Sequence, residues 1–307
     1  MIDPGAELFP GFVGRRMHVE DVEIFVRIGG EGPALLLLHG YPQSHVMWHR
    51  VAAEFASRFT VVAADLRGYG QSSCPPTDMA HRTYSKRVMA ADMISIMHQL
   101  GQVRFSLMGH DRGARVAYRL ALDHPDAVER LVLLDIISTY DQWHADNQKS
   151  RLRMFHWGFL AQPAPLPESL IRRSPVDWVD GPFRRATKAK SIDVIDPRAL
   201  ALYREAFKDS DHVHATCEDY RAGATCDLAD DVADLNAGHQ IECPTLFLWG
   251  THGTPSDIDD PMALWRRWCR HLEGATVDSG HFIAEENPAA LLAQALPFLL
   301  ATSDVHP

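Results

Sequence analysis

Along roughly the first 137 residues, short apolar runs alternate with longer stretches of helical period, and this alternation dominates the chain. Residues 19–28 alternate loosely and predict an early antiparallel pair closed by Gly29-Gly30. Ala34–Leu38 then reads as a strand, 46–55 as a helix, Thr60–Ala64 as a strand and 84–100 as a long amphipathic helix. A strand over 103–108, a helix over 113–122 and a strand over 131–134 continue the rhythm. Apolar runs of this length, separated by helices, mark parallel strands buried on both faces of an α/β sheet.

The rhythm breaks over 138–238. No clear β-run occurs there, and aromatics gather: Trp143, Phe155, Trp157, Phe159, Trp178, Phe183, Tyr203, Phe207 and Tyr220. Prolines 163, 165, 167, 175, 182 and 197 cut the stretch into short helices. Strands over 245–249 and 275–277 resume the pattern, and Pro288–Leu300 closes it as a helix with Asn287 at its N-cap. The expected domain plan is a core of residues 1–137 and 239–307, with 138–238 as a helical cap over the carboxyl ends of the strands. Such a cap shuts water out of a pocket.

Composition narrows the class. At 307 residues, 46% hydrophobic and 23% charged, the chain can bury a large core. A net charge of -10 without a basic stripe argues against a nucleic-acid partner. No apolar run spans a bilayer, and Met1-Ile2-Asp3-Pro4-Gly5 lacks the start of a signal peptide, so a cytoplasmic protein away from membranes is expected. The five cysteines (Cys74, Cys217, Cys226, Cys243, Cys269) are scattered without metal-ligand spacing and fit a reducing compartment.

Chemistry enters at Gly109-His110-Asp111-Arg112-Gly113-Ala114, which follows a strand and opens a helix. Small residues flank a central side chain, as in the sharp turn of a nucleophile elbow. That side chain is Asp111. A serine there would attack acyl carbons, whereas a carboxylate can displace a leaving group from saturated carbon and form an ester. Gly280-His281-Phe282 follows the last strand, where the α/β-hydrolase fold places its base, and position singles out His281 among seventeen histidines. For the supporting acid, Asp135 ends the strand after the elbow and is favoured over Asp257, which lies several residues beyond Trp249-Gly250. His39-Gly40-Tyr41-Pro42 follows another strand, so Tyr41 and Arg112 are the backbone N–H candidates for an oxyanion hole. Asp65-Leu66-Arg67-Gly68-Tyr69-Gly70 reads as a salt-bridged structural loop. Arg112 and Arg115 share a helix face beside the carboxylate. They read either as internal partners that keep Asp111 ionised or, in preference, as a fork for a substrate carboxylate.

With these residues in place the chain resembles the fluoroacetate dehalogenase family of α/β-hydrolases. The resemblance rests on Asp111-Arg112-Gly113-Ala114-Arg115, His39-Gly40-Tyr41-Pro42-Gln43 and Phe155-His156-Trp157. It rests also on Ala161-Gln162-Pro163-Ala164-Pro165-Leu166-Pro167-Glu168 and Cys217-Glu218-Asp219-Tyr220-Arg221-Ala222-Gly223. It implies an aspartyl-ester mechanism on a small anionic 2-haloacid, with Asp111 as nucleophile, His281 as base and Asp135 as supporting acid. Arg112 and Arg115 would bind the carboxylate. His156, Trp157 and Tyr220 would surround the departing halide, for which an imidazole, an indole and a phenol are suitable donors. The resemblance implies a homodimer, and neither a metal nor an organic cofactor is expected. Two departures stand out: Tyr41 where relatives carry Phe, and no Trp within Phe183-Arg184-Arg185-Ala186-Thr187, which predicts a wider pocket. The alternatives are an epoxide hydrolase, with Tyr220 and Tyr203 as cap tyrosines, and a receptor that kept the hydrolase shell without its chemistry.

Overall fold

The computed structural model describes residues 4–145 and 148–301; the start at Met1, Ile2 and Asp3, read above for a signal segment, lies outside them. Eight strands form one sheet: β1 (Val13–Val19), β2 (Val22–Gly29), β3 (Ala34–Leu38), β4 (Thr60–Ala64), β5 (Phe105–His110), β6 (Val128–Leu134), β7 (Thr245–Gly250) and β8 (Leu272–Val277). Their spatial order is β1-β2-β4-β3-β5-β6-β7-β8. β1 with β2 and β2 with β4 run antiparallel, and every later pairing is parallel. The parallel strands need crossovers, and the helices that supply them cover both faces of the sheet. Leu35, Leu36, Leu37 and Leu38 of β3 are therefore fully buried, each contributing roughly 1.5–3 kcal/mol through loss of apolar surface to water.

The core helices are α1 (Ala52–Ala56), α2 (Lys86–Gln99) and α3 (Arg112–Asp123). Between β6 and β7 lies an insert whose described elements are helices: α4 (Thr139–His144), α5 (Gln148–Arg153), α6 (Phe155–Leu160), α7 (Leu166–Ile171), α8 (Pro175–Ala186), α9 (Pro197–Ala206), α10 (Ser210–Ala224) and α11 (Cys226–Ala237). The chain closes with α12 (Pro261–Trp265), α13 (Ile283–Glu286) and α14 (Pro288–Leu300). Asn287 Oδ1 caps α14 by accepting the Ala290 N–H. Among the described residues no helix is long and apolar enough to cross a membrane.

Three element expectations need correction. The helix expected over 46–55 is a 3-10 turn (His45–Trp48) followed by α1, because the Asp65 carboxylate accepts the His45 backbone N–H at 2.6 Å and fixes that turn. The early antiparallel pair is present as β1 and β2, but it begins at Val13, ahead of the run read from Val19, and Glu20, at φ 51°, begins the turn between the two strands. The strand expected from Val103 starts at Phe105, where the β6 register begins, and Val103 stays exposed.

Candidate active site

Four strand ends meet at the carboxyl edge of the sheet, where α/β folds gather their sites. Asp111 leaves β5, Asp135 leaves β6, His281 follows β8 and Tyr41 follows β3. The turn at Asp111 is sharp: its φ is 47° and its ψ -114°, a conformation that side chains rarely adopt. Local packing enforces it. A Cβ on Gly109 would lie 2.6 Å from Ala114 Cα, and one on Gly40 would lie 2.5 Å from Asp111 Cβ. Glycine is required at both places.

Asp111, His281 and Asp135 form one line. Asp135 Oδ2 lies 2.5 Å from His281 Nδ1, which donates its proton to the carboxylate. That bond fixes the tautomer whose free Nε2 faces Asp111 Oδ2 at 3.7 Å. Asp135 is itself held by the Gly250 N–H at 2.8 Å and the Thr254 N–H at 2.9 Å. Asp257 is elsewhere engaged, by Lys149 and by Arg153 at 2.8 Å. The Tyr41 N–H donates to Asp111 Oδ1 at 2.9 Å. His39 braces that loop, donating from Nδ1 to Gly40 O and accepting the Leu66 N–H at Nε2.

Electrostatics favour an ionised Asp111. Burial pushes its carboxyl up, but His281, His110, Arg112 and Arg115 together outweigh burial and hold it at about 2. The His281 imidazole is raised: burial lowers it, and the hydrogen bond and charge of Asp135, with Asp111 and Glu286, prevail. Burial pushes His110 and His156 down to about 3, so both are neutral. His110 donates from Nε2 to the His281 backbone oxygen at 2.8 Å.

The two arginines behave differently. Arg112 grips Asp219 of α10 through Nε at 2.8 Å and Nη2 at 2.7 Å, and Nη2 also reaches the Asp219 carbonyl. Arg115 donates from Nη1 to Ile137 O and Thr139 Oγ1. Among the described residues each keeps one buried nitrogen without a partner, Arg112 Nη1 and Arg115 Nε. Arg112 stands 4.2 Å from the Tyr220 ring centroid and Arg115 4.4 Å from that of Trp157. His156 Nδ1, Trp157 Nε1 and the Tyr220 hydroxyl are likewise buried without partners among the described residues, and Tyr220 packs edge-on against both His156 and Trp157. The residues singled out in the sequence therefore come together. Asp111, Asp135, His281, Tyr41, Arg115 and His156 line a cavity of about 220 Å³, with Arg112, Trp157 and Tyr220 packed behind it. Tyr203 sits apart, donating to Glu285 at 3.1 Å. Ala186, where relatives were expected to carry a Trp, lines the cavity, and its carbonyl accepts the His281 N–H at 2.8 Å.

Sequence reasoning missed Asp219 as the partner of Arg112, and Arg153, Arg185 and Lys190 as cavity residues. Asp219 is an ordinary acidic residue on a polar helix, and nothing in its neighbourhood of sequence signals a partner so far away. Among the described residues no group of three or more His, Cys, Asp or Glu could hold a metal ion.

Comparison with known proteins matches residues 33–288 to the α/β hydrolase fold. A fluoroacetate dehalogenase from Burkholderia sp. is 43% identical over 92% of this chain and 91% of its own. A soluble epoxide hydrolase from Corynebacterium sp. strain C12 is 30% identical over 93% and 94%. Among solved structures, a Nostoc sp. PCC 7120 protein proposed to be an α/β hydrolase superposes with a TM-score of 0.92 at 43% identity, covering 96% of this chain and all of the other. A Pseudomonas aeruginosa protein proposed to be an epoxide hydrolase gives 0.89 at 43% identity, covering 97% of each chain.

Proposed function

The chain belongs to the haloacetate dehalogenase family of α/β-hydrolases, and from that premise we propose that it converts 2-haloacetates, fluoroacetate among them, to glycolate and halide through an ester on Asp111. The observation that carries this reading is the set of buried, unpartnered polar atoms around the nucleophile. Arg112 Nη1 and Arg115 Nε offer two donors suited to a carboxylate. His156, Trp157 and Tyr220 offer three more, suited to a compact leaving anion.

In the first step an Asp111 oxygen attacks the α-carbon while the carbon–halogen bond breaks, and the halide departs with the electron pair toward His156, Trp157 and Tyr220. In the second, His281 Nε2 takes a proton from water, and the hydroxide adds to the ester carbonyl of Asp111. Negative charge then collects on an oxygen beside the Tyr41 N–H, with the Arg112 N–H as the second donor. Collapse releases glycolate and restores the carboxylate. The helical insert acts as the cap that keeps bulk water from this sequence.

Single turnover in heavy-oxygen water tests the ester. The label should enter Asp111 and be absent from the first glycolate formed; label found directly in glycolate sinks the proposal. Asp111→Asn should lower turnover by at least about 10⁴-fold.

The epoxide hydrolase alternative has a relative in its favour, but Tyr203, its second candidate proton donor, is bound to Glu285. A catalytically silent receptor would have no use for the aligned Asp111, His281 and Asp135. Halide release from 2-haloacids beside ring opening of styrene oxide separates the three.

A further inference from the structure

The cavity is larger than a haloacetate needs and more basic than one carboxylate requires. A haloacetate has five heavy atoms, whereas the cavity, at about 220 Å³, is roughly an order of magnitude above the ~10–15 Å³ that holds one water on the same scale. In a chain of net charge -10, this cavity is lined by Arg115, Arg153, Arg185 and Lys190. Among its described lining residues the only carboxylates are Asp111 and Asp135, and both are engaged with His281.

Arg185 is the distinctive member. Arg153 is neutralised by Asp257 at 2.8 Å and also donates to the Gly253 carbonyl at 2.6 Å. Lys190 donates to the Arg185 carbonyl at 2.6 Å. The Arg185 guanidinium, by contrast, has neither a hydrogen bond nor a carboxylate partner among the described residues. It lies 5.1 Å from the Phe155 ring centroid, beside Gly181, where a Cβ would come 2.8 Å from Arg185 Nη1. The absence of a side chain at 181 leaves it room, and the small Ala186 next to it lines the same cavity as Asp111. Its side chain is solvent-exposed where it lines the cavity, and its charge reaches Tyr41 and His156 from there.

We propose that Arg185 anchors a second carboxylate, making short dicarboxylates with a halogen next to one carboxyl group, such as 2-chlorosuccinate, substrates of this enzyme. The proposal rests on the haloacid reading for its chemistry. Arg112 and Arg115 take the carboxylate beside the reacting carbon, and Arg185 takes the distal one through a planar fork. The reaction balances as before: Asp111 displaces halide, water cleaves the ester, and a 2-hydroxydicarboxylate, halide and a proton result.

The test separates binding from turnover. Calorimetric titration of the whole protein with succinate and with propionate gives an affinity ratio that does not depend on the chemistry. Succinate should bind about tenfold more tightly than propionate, and Arg185→Gln should bring the ratio close to one. Lys190→Gln, which removes the same charge from the same cavity, should keep most of the preference. A ratio near one in the unaltered protein overturns the proposal. So does an equal loss in the two variants, which would assign the preference to the general field of the cavity. Halide release from chloroacetate and 2-chlorosuccinate is measured alongside. Failure on both substrates with the succinate preference intact sinks the dehalogenase reading and leaves the anion subsite standing. Release from chloroacetate alone sinks the substrate class.

Discussion

Two aspartates at the site, Asp111 and Asp135, sit at φ 47° and 54°, where a residue with a side chain carries roughly 1–3 kcal/mol of strain. Both are held there by what surrounds them. Asp111 is closed in by the backbones around Gly109 and Gly40, and Asp135 by the N–H groups of Gly250 and Thr254. In the proposed reaction these turns put one carboxylate where it would attack and the other where it orients the imidazole, and Asp111 and His281 answer differently to pH. Asp111, held at about 2, stays ionised at every ordinary pH. In the proposed second step His281 must be neutral to take a proton from water, and its raised pKa keeps it protonated into a higher pH range than a free imidazole. Lowering the pH should therefore slow ester hydrolysis while the first halide is still released. Rapid-mix halide measurements at about pH 5 should show a stoichiometric burst followed by slow turnover. His281→Gln should show the same burst at all pH values, with the ester detectable on Asp111 by mass spectrometry. Loss of the burst with the steady rate would deny His281 its separate role.

At the scale of elements, the insert is tied to α3 by several buried side chains: Thr139 on Arg115, Asp231 on Tyr118 and Arg119, Asp234 on Arg119, and Asp219 on Arg112. Asp219 of α10 is fully buried and accepts from Arg112 and Lys86, and from the Tyr69 hydroxyl at 2.7 Å. Removing one charge from such a buried group typically costs about 3–5 kcal/mol, so Asp219→Asn should lower the melting temperature. A structural role alone would stop there. Because Asp219 fixes the plane in which Arg112 presents its free Nη1, KM for chloroacetate should also rise, by roughly tenfold, with a smaller change in kcat. An unchanged KM in the folded variant would show that Arg112 does not depend on that grip. The same element shows where the sequence was readable. The strands were legible because helices cover both their faces, so burial writes itself as an apolar run, as in Ala34–Leu38. Their ends were less so: Val103 is an apolar residue between Gln102 and Arg104, and the register with β6 starts β5 only at Phe105. The turn at Asp111 was legible because close backbone approach demands small residues at fixed spacing. Asp219 and Arg112 are 107 residues apart, and no local rule couples a lone acid on a helix to a base at that distance.

For the molecule as a whole, the joint between core and insert contains a second buried acid that the proposed chemistry does not use. Glu285 of α13 is fully buried, accepting from Gln43 of the loop after β3 and from Tyr203 of α9. Burial dominates over these donors and over Arg50, and pushes its carboxyl from 4.5 up to about 8. Its contribution to stability follows from linkage. Between those two values the folded protein holds a proton that the unfolded chain has released, so the contribution is complete below about pH 4.5 and is lost as the pH rises through about 8. His281, also raised, adds a loss of the same sign, so a pH scan of one protein cannot apportion the two. Glu285→Gln separates them. The amide supplies an acceptor and a donor in nearly the same volume and does not titrate, so the part of the slope that belongs to Glu285 should vanish while that of His281 remains. The melting temperature of the unaltered protein should fall by several degrees between about pH 6 and about pH 9, and that of Glu285→Gln by clearly less. Parallel curves would mean that Glu285 is ionised when folded and held by its donors, and would place the pH sensitivity of the joint at His281.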